Sequence, residues 1–110
     1  MKYVPNQGDI IVMDFDPQKG LEQRGRRPAL VISNNIYNRH CKLAMVCPIT
    51  NTDKAHAFHI RLDDRTQTTG VVLCDQVRAM DVCARNAIFI EYISDDLLDK
   101  VAELVWSFIE

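Results

Sequence analysis

The feature of this chain that most limits its fold is the brevity of its apolar runs. Ile10 to Phe15, Pro28 to Ser33, Leu43 to Ile49, Phe58 to Leu62, Val71 to Cys74, Gln76 to Met80 and Ala87 to Tyr92 are each strand-length, and single Pro, Gly or Asn residues punctuate them. Short strands at such spacing point to a sandwich or barrel. The connections are too brief for helical crossovers, so the sheet is read as largely antiparallel. In Phe58-His59-Ile60-Arg61-Leu62, strict alternation predicts Phe58, Ile60 and Leu62 on the core face, with His59 and Arg61 outward. Asn34 to Asn38 reads as a turn, because Asn side chains bond nearby backbone and tolerate positive φ.

Helical periodicity occurs once, at the end. Leu97, Val101, Leu104, Val105 and Phe108 share one face, with Trp106 just off the stripe. Ser94 is a candidate cap, Asp95 and Asp96 suit the positive end of the helix dipole, and Ile93 with Leu98 fits a hydrophobic staple. The expected architecture is mainly β: a small closed antiparallel sheet, barrel-like, followed by a covering C-terminal α-helix.

The 110 residues suit one domain over positions 1–110, with one core and no linker. An apolar fraction of 47% and a charged fraction of 25% are those of an ordinary globular chain and exclude disorder. No apolar run approaches the roughly 18 residues of a membrane span, and the opening Met1-Lys2-Tyr3-Val4-Pro5-Asn6 lacks a signal-like apolar stretch, so a cytoplasmic location is expected. Cys41, Cys47, Cys74 and Cys83 include no close pair and lie mostly in apolar stretches, reading as reduced core residues rather than a zinc site.

Charge is distributed unevenly. Between Lys19 and Lys42 stand Lys19, Arg24, Arg26, Arg27, Arg39 and Lys42 against Glu22 alone; between Glu91 and Glu110, six carboxylates face Lys100 alone. The first segment suits an anionic ligand and the second repels one. The net charge of -2 argues against a protein that coats nucleic acid without selectivity.

Within the basic segment, Arg24-Gly25-Arg26-Arg27-Pro28 is a dense source of guanidinium forks that match phosphate. Pro28 biases Arg27 toward extended backbone and so fixes its direction. Cleavage of RNA by its own 2′-hydroxyl needs a base, positive charge on the developing phosphorane, and a proton for the leaving 5′ oxygen, and no divalent ion in principle. An Arg of this cluster supplies charge that grows in value in the transition state. Glu22 is a candidate base, and Thr50, closing the third strand, a hydroxyl donor to a phosphate oxygen. His56 and His59 fall on opposite faces of a strand-like stretch and read as surface residues; Asp53 with His56 lacks the further ligands a metal site needs. His40 adds to the basic surface. No metal or cofactor is expected.

The runs GDIIVMDFDPQKGLEQRGRRPALVISNNIYN, VCPITN and GVVLCDQVRAMD together resemble the MazF/PemK toxins of bacterial toxin-antitoxin systems, in the family's order and spacing from Gly8 to about Ile109. The resemblance implies an SH3-like barrel, a homodimer, and sequence-specific cleavage of single-stranded RNA leaving a 2′,3′-cyclic phosphate and a 5′-hydroxyl. It assigns the catalytic arginine to Arg27, its partner to Thr50 and the acidic loop residue to Glu22. Gln23, Arg24, Arg26, Asn51, Gln76 and Arg78 are the expected RNA-binding residues. It also implies an antitoxin whose acidic C-terminal tail lies across the toxin, matching the basic segment.

Two other functions compete on the same barrel. A gyrase-trapping poison would work through C-terminal residues, whereas the promising chemistry here lies in the first half. A peptide-binding module needs an aromatic-lined groove, and aromatics make up only 7% of the chain.

Overall fold

A computed structural model describes residues 2–15, 25–52 and 58–109. The strands are β1 (Asp9–Asp14), β2 (Arg26–Val31), β3 (Ala44–Thr50), β4 (His59–Arg61), β5 (Val71–Leu73), β6 (Arg78–Met80) and β7 (Ile88–Tyr92); the helices are α1 (Asn35–His40) and α2 (Asp95–Ser107). All pairings are antiparallel, in the order β4-β5-β3-β2-β1-β7, with β6 also on β3. The sheet is mainly antiparallel and barrel-like, as expected. It is open rather than closed: among the described residues its pairing ends at β4 on one side and β7 on the other.

The central strands read as unbroken apolar runs because both of their faces are covered. Ile10, Leu30, Cys47 and Ile49 pack with Leu97, Val101 and Val105 of α2. On the opposite face Ile11, Met13, Phe15, Ala29, Val31 and Val46 pack with Met80 and Val82. Each fully buried aliphatic side chain contributes about 1.5–3 kcal/mol.

Ser94 occupies the cap position of α2 with extended backbone, but its hydroxyl makes no capping bond. The helix start is tied elsewhere. Arg65 donates to Asp96 through both terminal nitrogens, at 2.9 and 3.1 Å, and also grips Asp63. Ile93 is buried and Leu98 packs against the same cluster, the two ends of the expected staple.

Several local expectations fail for physical reasons. Asn34 to Asn38 is not a simple turn. The Asn34 side chain accepts from the Tyr37 amide at 2.9 Å and so caps α1, while Asn38, buried, donates to the Pro5 and Ser33 carbonyls. Gln76 is not in a strand: Cys74–Gln76 is a 3₁₀ turn, and β6 begins at Arg78. Phe58 is 42% exposed rather than core-facing, while the His59 side chain is largely sheltered beside Asp75. Phe58 stacks edge-on against Phe108, centroids 5.1 Å apart, so each aromatic covers the other at the sheet margin instead of entering the core. The cysteines divide as well. Cys47 and Cys74 are buried, with burial pushing the Cys74 thiol up to about 11, whereas Cys41 and Cys83 are exposed.

Candidate functional site

The site is built at one end of β2 and β3. Their register sets Ala29 opposite Pro48, Leu30 opposite Cys47 and Val31 opposite Val46. Arg27 and Thr50 each lie two residues beyond the last of these pairs, Ala29–Pro48, at the same end of the two strands. Pro28 and Pro48 each lack a donor, which accounts for the end of the β2–β3 ladder at this point. Arg27 and Thr50 therefore stand just beyond the paired region, Arg27 exposed and Thr50 half-buried.

The face is fixed by the opposite neighbour. Arg27 pairs with Met13 of β1, and Met13 belongs to the inner layer with Phe15 and Val46. Arg78 lies opposite Val46 on the other edge of β3, and its guanidinium carbon sits 5.4 Å from the centre of the buried Phe15 ring. Arg27, Thr50 and Arg78 thus rim one face. The aromatic ring holds the Arg78 head by cation–π attraction without consuming its hydrogen-bond donors.

The Thr50 hydroxyl is oriented locally. Its Oγ1 accepts from the Thr52 amide at 3.1 Å, leaving its own proton to donate. Asn51, exposed, accepts from the Thr69 hydroxyl at 2.9 Å, and Gln76 is exposed on the 3₁₀ turn. Gly70 presses against the Thr50 carbonyl with φ +114, a conformation that side chains rarely adopt; a Cβ there would fall 2.3 Å from that oxygen. The 63–70 segment is held in turn by Glu91, which accepts from the amides of Gln67 and Thr68 and the Thr68 hydroxyl.

Arg26 is not brought to this rim. Its guanidinium donates to Asp14 at 3.1 Å, to the Val12 carbonyl at 3.0 Å and to the Asn86 carbonyl at 2.6 Å. Asn86, at φ 60, donates back to Asp14, and Arg85 donates to the Phe15 carbonyl. The Asn86 hydrogen bond and the Arg26 charge hold the Asp14 carboxyl below its ordinary range. The 81–87 turn therefore fastens the end of β1 and the start of β2, and Arg26 serves that fastening. Glu22, Gln23 and Arg24 lie outside the described residues, as do Asp53 and His56. Sequence reasoning missed Phe15 as a platform, Asn86 as a clasp and Gly70 as a support. A lone Gly entering Val-Val-Leu was the one visible signal.

Residues 6–109 match the family model described as the PemK-like, MazF-like toxin of type II toxin-antitoxin systems. The chain is 42% identical over 86 residues to the endoribonuclease toxin MazF of Escherichia coli, covering 78% of this chain and 77% of that one. It is 35% identical over 105 residues to endoribonuclease EndoA of Bacillus subtilis, 91% of this chain and 90% of that one. The fold superposes on MazF of Deinococcus radiodurans with TM-score 0.86 at 37% identity, covering 97% of each chain. A MazE-MazF structure from the same organism gives TM-score 0.88 at 36% identity, again over 97% of each chain. The chain belongs to the MazF/PemK family of type II toxin-antitoxin toxins.

Proposed function

We infer that this chain is the endoribonuclease toxin of a type II toxin-antitoxin pair and that Arg27 and Thr50 are its catalytic pair. The observation that supports this is that both lie two residues beyond the last β2–β3 pair, Ala29–Pro48, at the same end of the two strands. A scissile phosphate seated between them receives the Arg27 guanidinium on one non-bridging oxygen and the Thr50 proton on the other. Charge on those oxygens grows as the 2′-hydroxyl attacks, so both contacts strengthen toward the transition state. The reaction closes a 2′,3′-cyclic phosphate, frees a 5′-hydroxyl and routes no step through a metal ion. Glu22 is proposed as the proton-transfer group from the neighbouring segment. Arg78, Gln76 and Asn51 line the approach for single-stranded RNA, with Gln23 and Arg24 contributing from the same basic segment.

The relatives named MazE-MazF support a cognate antitoxin as partner, and an acidic tail lying on the cationic rim would exclude RNA by charge as well as by bulk. A homodimer is proposed as well. Ile88, Ile90 and Tyr92 of the edge strand β7 expose apolar surface of the kind a second copy covers. The setting is proposed to be the cytoplasm, where messenger RNA is met.

The experiment is incubation of the purified toxin with a long RNA in excess EDTA, followed by chemical analysis of the fragment ends. Defined fragments with cyclic-phosphate and 5′-hydroxyl ends are expected. Activity that vanishes with the chelator and returns with a divalent ion would overturn the metal-free mechanism.

A further inference from the structure

At the end of β3 away from Thr50, roughly 20 Å along the strand, a surface cavity of about 680 Å³ is lined by Lys2, Arg39, Lys42, Cys41 and Cys83 among other residues. The proposed RNA chemistry uses none of these. Both cysteines are free and exposed. Their placement follows from the β3–β6 register, in which Ala44 faces Met80 and Met45 faces Ala79. Cys41 follows the end of α1 three residues before Ala44, and Cys83 lies in the turn three residues after Met80, so both flank the same end of the β3–β6 ladder. Both cysteines line the one cavity from these two segments. The Cys83 thiol is positioned by a contact of 3.1 Å to the Tyr3 carbonyl, and the Asn86 amide closes its turn on the Cys83 carbonyl at 3.1 Å.

We propose that Cys41 and Cys83 form a redox modification site that takes a small anionic disulfide, of the glutathione disulfide class, and closes to an intramolecular disulfide. The cavity recognises such a reagent by charge, since Lys2, Arg39 and Lys42 outnumber its one carboxylate, Asp81. The thiolate of one cysteine attacks a sulfur of the reagent, forming a mixed disulfide and expelling one reagent thiolate. The second cysteine then attacks the protein sulfur of that mixed disulfide, forming the Cys41–Cys83 bond and expelling the other. Both cysteines are oxidised, the reagent is reduced to two thiols, and the two protein protons end on those thiols at neutral pH. Cys47 and Cys74 take no part, being buried in the core under α2.

The test exposes the full-length toxin to glutathione disulfide and maps its peptides without reduction. A Cys41–Cys83 linked peptide is expected, with two free thiols lost per chain and Cys47 and Cys74 still reduced. Cys41→Ser and Cys83→Ser should each stop at the mixed disulfide. Closing a long loop should also raise Tm by several degrees. Cationic cystamine should react more slowly than glutathione disulfide, and Lys42→Gln or added salt should narrow the difference. Mixed disulfides alone in the unaltered chain, or linkage between two chains, would overturn the dithiol site. Equal rates for the two reagents would overturn the role of the cavity.

Discussion

Gly70 packs against the carbonyl of Thr50 so closely that a methyl group at its Cα would lie 2.3 Å from the oxygen. The contact joins a residue with no chemistry of its own to a proposed catalytic hydroxyl, through the β3–β5 pairing that sets Thr50 opposite Val71. Gly70→Ala must therefore push the Thr50 backbone aside and hold φ +114 with a side chain. The strain should cost roughly 1–3 kcal/mol in urea denaturation. RNA cleavage should fall further than the unfolded fraction explains, because the hydroxyl moves with its carbonyl.

Arg26 and Arg78 should separate stability from RNA affinity. Arg26→Ala removes donors to Asp14, Val12 and Asn86, so it should lower Tm while leaving the salt dependence of RNA binding unchanged. Arg78→Ala should leave the fold intact and reduce the slope of log affinity against log salt by about 0.7, one phosphate's share on a single strand. Equal slopes for the two variants would remove the distinction.

The ion cluster at the start of α2 sets an acid limit. Hydrogen bonds from Arg65 hold the Asp96 carboxyl down at about 2, and Asp63 is lowered by the same guanidinium. A carboxylate depressed in the folded state contributes stability that is present above its unfolded pKa and lost as pH falls through the folded value. The cluster should thus be intact at neutral pH and dissolve between about pH 4 and about pH 2, the unfolded and folded values for Asp96. Carboxyl-carbon NMR of Asp96 checks this. In Arg65→Gln, its midpoint should move up toward the ordinary aspartate range.

Much of the fold was legible because the central strands answer to two simple periodicities. Apolar runs such as Ile10 to Phe15 and Leu43 to Ile49 mark strands covered on both faces, and the stripe Leu97, Val101, Val105 marks the covering helix. Alternation failed at Phe58, where the strand lies on the sheet margin and Phe108 offers a partner outside the core. The turn chemistry of Asn34 was read correctly as a side-chain-to-backbone bond, yet the same bond starts a helix when residues such as Asn38 find buried partners. At the site, Arg27 stood out beside Pro28 and Thr50 at the close of the third strand, and the family resemblance implied their roles, but their placement depends on long-range pairing. The diversion of Arg26 was invisible for the same reason: its partners Asp14 and Asn86 lie 12 and 60 residues away.

Arg27 is exposed, so replacing it should leave stability within about 0.5 kcal/mol. Its chemistry is less forgiving. Arg27→Lys keeps the charge but loses the planar fork and should slow cleavage by about 10²-fold or more under single-turnover conditions.

The central claim is that Arg27 and Thr50 act on one phosphate as a unit, and a double-mutant cycle on single-turnover RNA cleavage in EDTA tests it most directly. Arg27→Lys, Thr50→Val and the double variant would be measured with saturating enzyme, each confirmed folded by its Tm. Coupled residues predict a double variant about as slow as the worse single variant, well short of the product of the two losses. Losses that multiply, or a Thr50→Val rate equal to that of the unaltered toxin, would contradict the pairing.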